Sequence, residues 1–325
     1  MSVLITGGAG YIGSHMAHHL LGAGEDIVVL DNLSTGVEQN MPRGINFVRG
    51  DIADQALVSK ILENEKIDSV IHFAGSVVVP ESVEKPLDYY ANNTAATRSL
   101  IEACVRHGVP NFIFSSTAAV YGTPPTIPVS EDSPTSAESP YGRSKLMTEW
   151  MLQDAAAAHG IKFGILRYFN VAGADPDGRT GQSTPRATHL IKRACEVATG
   201  KFPHLTIFGT DYDTPDGTGV RDFIHVSDLV DIHKCVLDRL RGGGSSLLIN
   251  CGYGRGFSVR EVVAAVERVS GKSLAVELAP RRPGDLAAVV ANTAKLSTLL
   301  DWKPRHDDLD KIVETALNWE RRLGR

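Results

Sequence analysis

The 325-residue chain is predicted to form an α/β fold, a doubly wound parallel sheet with a smaller C-terminal α/β substrate domain, on three observations. A short apolar run leads into a glycine-rich loop and then a helical pattern at the N-terminus. Apolar runs of strand length then alternate with helical patterns as far as Leu166, the order that puts helices on both faces of a mostly parallel sheet. From about Ala174 the connections become richer in Gly, Pro and Asp, which sets a soft boundary between residues 1–174 and 175–325, some later segments returning to the first part.

Val3, Leu4 and Ile5 form the first buried strand, followed at once by Thr6-Gly7-Gly8-Ala9-Gly10-Tyr11-Ile12-Gly13. Ile12, Met16 and Leu20, spaced four apart, mark a helix that ends at Gly22 and Gly24. Strand, glycine loop and helix together predict a Rossmann-like dinucleotide site. Gly7 and Gly10 permit a tight turn and close approach to a pyrophosphate, Gly13 permits close packing of helix on sheet, and the helix N-terminus attracts the negative charge. Residues 27–30 form a second strand ending in Asp31, eighteen residues past Gly13. A carboxylate there accepts hydrogen bonds from an adenosine ribose and repels the extra phosphate of NADP, so the reading favours NAD.

Residues 45–48, 70–72 and 111–114 read as further strands, with helices around 57–62 and 87–107. Ligands of such sheets bind beyond the carboxyl ends of the strands, which singles out Asp51, Ile52, Phe73, Ala74, Ser115, Ser116 and Thr117. A Pro-, Thr- and Ser-rich stretch over 122–140 has the length of a functional lid. It delivers the chain to Tyr141-Gly142-Arg143-Ser144-Lys145 on a helix over 140–158, where Tyr141 and Lys145 share a face. A neighbouring ammonium favours the phenolate. Ser139 as cap and Pro140 in the first turn place Tyr141 near the positive end of the helix dipole, and its pKa is expected to fall toward neutrality. The next strand, 163–166, ends at Arg167, Tyr168, Phe169 and Asn170. Ser258 with Glu261 forms a capping box, Gly242 to Gly244 a flexible turn, and Leu309, Ile312, Val313, Leu317 and Trp319 a packed terminal helix.

Composition narrows the classes. A hydrophobic share of 42% and a charged share of 22% suit a globular enzyme, and a net charge of -5 leaves no basic excess for binding nucleic acid. Cys104, Cys195, Cys235 and Cys251 show no close pair, as expected of reduced thiols in the cytoplasm. His15 and His19 share a helical face without further ligand spacing, so no metal is expected. The chain begins directly on a strand, so neither secretion nor a membrane span is expected.

With these features in order, the chain resembles the extended short-chain dehydrogenase/reductases, and among them it is most similar to the UDP-glucose 4-epimerase family, essentially end to end. The resemblance is carried by His72-Phe73-Ala74-Gly75, Glu81-Ser82 with Lys85-Pro86-Leu87, and Tyr89-Tyr90-Ala91-Asn92-Asn93. It continues in Tyr168-Phe169-Asn170-Val171-Ala172-Gly173-Ala174 and in Asp216-Gly217-Thr218-Gly219-Val220-Arg221-Asp222-Phe223-Ile224-His225-Val226. The resemblance implies reversible 4-epimerisation of UDP-glucose and UDP-galactose with tightly held NAD: Tyr141 exchanges a proton with the 4-hydroxyl as hydride moves at carbon 4, a transient 4-keto sugar turns over, and Lys145 and Thr117 assist. It implies that Tyr11, Ile12, Asp31, Asn32, Asp51, Ile52, Phe73, Ala74, Asn92 and Phe169 line NAD. Asn170, His189, Leu190, Thr206, Ile207, Phe208, Arg221, Arg282 and Asp285 are implied to line the UDP-sugar, and a homodimer is implied through the helices around 87–107 and 140–158.

Two positions depart from the family pattern. Val77 stands where many relatives have a lysine on the cofactor, and Val289 where some have a tyrosine against the sugar, leaving room for UDP-N-acetylhexosamines. Nucleotide-sugar 4,6-dehydratases and decarboxylases of similar fold place carboxylates after the threonine; here Ala118 and Ala119 stand there, and elimination loses its acid and base. A non-catalytic NAD sensor needs the glycine loop but has no use for the Tyr141/Lys145 pair.

Overall fold

The computed structural model describes residues 1–184, 187–282 and 284–324. In chain order the strands are β1 (Ser2–Thr6), β2 (Asp26–Asp31), β3 (Asn46–Arg49), β4 (Ile67–His72), β5 (Asn111–Thr117), β6 (Lys162–Tyr168), β7 (Asn170–Ala172), β8 (Leu205–Phe208), β9 (Val220–His225), β10 (Leu247–Cys251), β11 (Gly256–Ser258), β12 (Val276–Ala279) and β13 (Ala288–Val289). Seven of them form one parallel sheet in the order β10-β6-β5-β4-β1-β2-β3. The chain reverses direction across the sheet between β1 and β4, the topological switch point at which doubly wound sheets hold ligands.

The period-two alternation of each strand sends successive side chains to opposite faces. On one face Val3, Ile5 and Val29 pack with Met16 and Leu20 of α1 (Tyr11–Gly22). On the other, Leu4, Val28 and Val70 pack with Val58 and Ile61 of α2 (Gln55–Asn64). Next come α3 (Val79–Glu84), α4 (Pro86–Tyr89) and α5 (Ala96–Arg106), which brings Leu100 and Ile101 to that second face. The helix expected over 87–107 is present and continuous from α4 into α5, but Tyr90–Ala95 within it is a π-helical stretch, whose widened turn carries Asn92 and Asn93. Then follow α6 (Pro140–His159), α7 (Leu190–Ala198) and α8 (Val226–Arg241), the last packing Leu229, Ile232 and Val236 beside α1. Three helices close the chain: α9 (Val259–Ser270), α10 (Ala294–Leu299) and α11 (Leu309–Leu323).

Both α8 and β10 thus join the N-terminal sheet although they lie past residue 174. A separate apolar core binds α7, α9 and α11 through Ile191, Val262, Val266, Ile312 and Val313. Around it, β9 pairs with β7, β11 and β13, and β8 pairs with β12. The capping box at Ser258 and Glu261 is present, and Ser139 accepts the Gly142 amide at 3.1 Å with Pro140 in the first turn of α6.

The stretch over 122–140 is tied down at its middle, unlike a hinged lid. The Val129 amide donates to the Val290 carbonyl and its carbonyl accepts the Asn292 amide, each at 2.8 Å. Glu138 accepts the amide and hydroxyl of Thr123 at 3.0 and 2.7 Å.

Candidate active site

The cleft is built at the carboxyl ends of β1, β2, β4 and β5. Gly7 turns with φ +70°, and a Cβ there would stand 2.5 Å from the Ala74 amide nitrogen, so the ends of β1 and β4 meet backbone to backbone. A Cβ on Gly13 would lie 2.2 Å from the Gly7 carbonyl oxygen, which seats α1 on the loop. Gly10 caps α1 without a side-chain bond, and a Cβ on it would meet only the Gly7 oxygen within 4 Å. Uncapped first-turn amides under an open cradle are what a pyrophosphate requires.

Beside the cradle, Asp31 is buried at the last position of β2 and accepts the Ala9 and Leu33 amides at 2.9 and 2.7 Å. Asn32 donates to Asp51 at 2.8 Å, joining two residues singled out from the sequence at neighbouring strand ends. Asn92 donates to Ser76 at 2.9 Å. Phe73 packs 5.0 Å from the His233 ring, and Phe169 packs against Val120, Tyr121 and Val129. Tyr11 donates to the Gly173 carbonyl at 2.7 Å, fastening the glycine loop to the turn after β7. Ile52 lies in the core on the α2 face of the sheet and Ile12 packs half-buried against the core on the α1 face, so their backbones are what they offer a ligand. These features fit a dinucleotide.

The reactive pair sits across the cleft. A Cβ on Gly142 would lie 2.7 Å from the Ala119 carbonyl, so α6 rests directly on the turn after Thr117 and brings Tyr141 to that side chain. The Thr117 hydroxyl accepts the Ala119 amide at 3.1 Å and stands near enough to the Tyr141 phenol to pull its pKa down. Lys145 is 3% exposed; its ammonium donates to the Ser115 carbonyl at 2.9 Å and lies 4.9 Å over the Phe114 ring. The expected fall in the Tyr141 pKa is not found: burial raises it, and Thr117 only partly opposes that rise. Burial likewise lowers Lys145 to about 8. Desolvation is the largest influence on each group in the protein alone.

The sequence reading missed Asn93, which is buried in the π-helical stretch. It accepts the Ser76 amide at 2.7 Å and donates to Ser144 at 3.0 Å, binding the segment after β4 to α6. Its only signal was its place in the Asn92-Asn93 pair.

Most of the residues expected at the UDP-sugar lie on or beside the C-terminal strands. Thr206 and Phe208 are half-buried on one face of β8, while Ile207 points the other way into the core, so it offers only backbone. The Arg282 guanidinium stacks 3.7 Å over the Phe208 ring. Arg221 on β9 stands 3.7 Å from Asp285 and in register with Val289 of β13. Asn170 begins β7, in register with Phe223 further along β9. His189 precedes α7, with Gln182 at 3.3 Å, and Leu190 opens that helix half-buried against the C-terminal core. Pro283, between Arg282 and Gly284, lies outside the described residues.

Residues 3–252 match the model of the NAD dependent epimerase/dehydratase family. The chain belongs to this family. Similar to it is a UDP-glucose 4-epimerase of Azospirillum brasilense, 58% identical over 321 residues, 99% of this chain and 92% of that protein. A UDP-glucose 4-epimerase from Brucella ovis, solved in complex with NAD, is 45% identical with a TM-score of 0.95, covering 98% of this chain and 97% of that one. A UDP-Glc/GlcNAc 4-epimerase from Campylobacter jejuni is 50% identical with a TM-score of 0.86, covering 99% of each chain. Family membership fits the cradle's chemistry, and the protein uses NAD.

The buried ammonium has a measurable consequence. An unfolded chain keeps the Lys145 proton up to the ordinary 10.5, whereas the folded protein releases it near about 8, so this residue opposes folding at neutral pH and the opposition fades as pH rises through that window. Relative to Lys145→Met, cofactor-free protein should gain stability between those two pH values. Urea midpoints at each end test this, and a constant difference between the two proteins would refute it.

Proposed function

We infer that the chain is an NAD-dependent UDP-glucose 4-epimerase, interconverting UDP-glucose and UDP-galactose through a transient 4-keto sugar. The observation that carries this reading is the buried Tyr141 phenol beside Thr117 on a helix that also buries Lys145, its ammonium held by the Ser115 carbonyl. NAD, when bound, would supply the hydride acceptor and donor. Tyr141 takes the proton of the sugar's 4-hydroxyl and returns it after the keto sugar has turned over, so one group acts as base and then as acid. Thr117 donates to the phenolate, and Lys145 favours it by charge. Arg221 and Arg282 meet the diphosphate with charge-assisted bonds, Phe208 holding Arg282 flat. Asp31 orients the adenosine ribose and excludes NADP.

Ala118 and Ala119 follow Thr117, and the nearest buried carboxylate on α6, Glu149, is bound to Arg167 and Ser116. Elimination therefore lacks an acid and base, which supports epimerisation over dehydration. Residues 1–174 form the NAD-binding domain together with α8 and β10, and the remainder binds the UDP-sugar. The four cysteines are free, which fits a reducing cytoplasm, and no helix among the described residues is long and apolar enough to cross a membrane.

Purified protein given UDP-galactose without added NAD should form UDP-glucose, and Tyr141→Phe should lower kcat by about 10²–10⁴-fold. No conversion, even with NAD supplied, would refute the reading.

Val289 supports a wider sugar range, because its small, half-buried side chain beside Arg221 leaves space for an acetamido group. Wild-type protein should turn over UDP-GlcNAc, and Val289→Tyr should reduce that turnover at least about tenfold while sparing UDP-glucose. Equal exclusion in both proteins would refute it.

A homodimer is supported by Val79, Val83, Leu87, Met147 and Trp150, exposed apolar residues on α3, α4 and α6, Leu87 being 78% exposed. Light scattering should return twice the chain mass, and Leu87→Asp with Trp150→Glu should halve it; a monomeric wild type would refute the assembly.

A further inference from the structure

Glu149 is fully buried, carries a charge the reaction does not use, and lies one turn past Lys145 and two past Tyr141 on the same face of α6. Its carboxylate takes two bonds from Arg167, at 3.0 and 2.5 Å, and a third from Ser116. Ser116 stands between Ser115, whose carbonyl receives Lys145, and Thr117, which leads into the turn that Gly142, next to Tyr141, packs against. One carboxylate therefore fixes the helix bearing the reactive pair against the strand end that stands beside both members of it.

The connection continues outward. The Arg167 guanidinium lies 4.8 Å over the Tyr121 ring, and the Tyr121 hydroxyl donates to Asn250 at 2.7 Å. Asn250 donates in turn to the Val129 carbonyl at 2.9 Å, and the Val129 amide bonds the carbonyl of Val290, the neighbour of Val289. Glu149, Arg167, Tyr121, Asn250 and Val129 are each at most 4% exposed.

We propose that this buried chain from Glu149 to Val129 is a positioning device that sets the distance between the Tyr141–Lys145 helix and the sugar-facing strand β13. The proposal rests on the epimerase reading above. A buried ion pair is weak evidence for stability, since an apolar pair of similar volume packs as well or better. What the apolar pair lacks is the two-bonded planar geometry that fixes rotation and translation of α6. Epimerisation demands such fixing. One phenol must serve a sugar that presents opposite faces before and after it turns, so the walls on either side must keep one spacing. Glu149 and Arg167 are positioning residues here; neither touches the sugar.

The test replaces both charges, Glu149→Met with Arg167→Met, and separately cuts the middle link with Tyr121→Phe. Wild type and variants are compared for melting temperature, for kcat and KM with UDP-galactose, and for the near-ultraviolet absorbance of reduced nicotinamide during turnover. The double variant should melt close to wild type yet lose at least about tenfold in kcat, with KM within about twofold and reduced cofactor accumulating because return of hydride to the turned sugar fails. Tyr121→Phe should show the same pattern to a smaller degree. Wild-type kcat and no accumulation in a folded double variant would overturn the proposal. Should the double variant not fold, the same result for Tyr121→Phe would overturn it. Wild-type turnover in the same assay tests the epimerase reading separately, so the two failures are distinguishable.

Discussion

Contact of backbone with backbone at Gly7 is the constraint on which the rest of the cleft depends. With the Ala74 amide 2.5 Å from where a Cβ would stand, β1 and β4 can end side by side only if this residue has no side chain. That approach lets α1 begin immediately above the strand ends, with Gly13 seated on the Gly7 carbonyl. It also keeps Asp31, one strand away, within 2.9 Å of the Ala9 amide. The cradle, Asp31 and the first turn of α1 thus share one geometric origin, and a larger residue at Gly7 would displace all three.

The electrostatics of the reactive pair follow from its depth. Tyr141 and Lys145 face a cleft whose walls are the Phe114 ring and the backbone of β5, so desolvation pushes the phenol up and the ammonium down. In the protein alone the phenol keeps its proton at neutral pH, and the ammonium, lowered to about 8, keeps its own.

Elsewhere the buried carboxylates do structural work on the same cleft. Asp222 on β9 accepts the amides of Tyr253, Gly254 and Ala291 at 2.9, 2.9 and 3.2 Å, joining the strand that carries Arg221 to the turn after β10 and to the segment after Val289. Burial raises its pKa against the pull of those three amides. His72, at the end of β4, is held between the hydroxyls of Thr6 and Thr97 at 2.6 and 2.8 Å, and burial lowers it to about 3, so it stays neutral in the sheet. Hydrogen bonds from several distant segments converge on each of these groups.

The sequence by itself determined what local period and spacing encode. The strand, glycine loop and helix at the N-terminus, Asp31 at the end of β2, the cap at Ser139 and the shared face of Tyr141 and Lys145 all arise within about twenty residues, where alternation and turn chemistry are decisive. Tertiary structure alone decided the rest. It returned β10 to the edge of the sheet, widened the expected helix into a π turn at Tyr90–Ala95 that carries Asn93, and pinned the stretch over 122–140 through Val129. It turned Ile207 away from the cleft and reversed the expected pKa shift of Tyr141. Each of these depends on contacts between segments far apart in the chain, and desolvation in particular is a property of everything packed around a group, which no spacing between two residues can express.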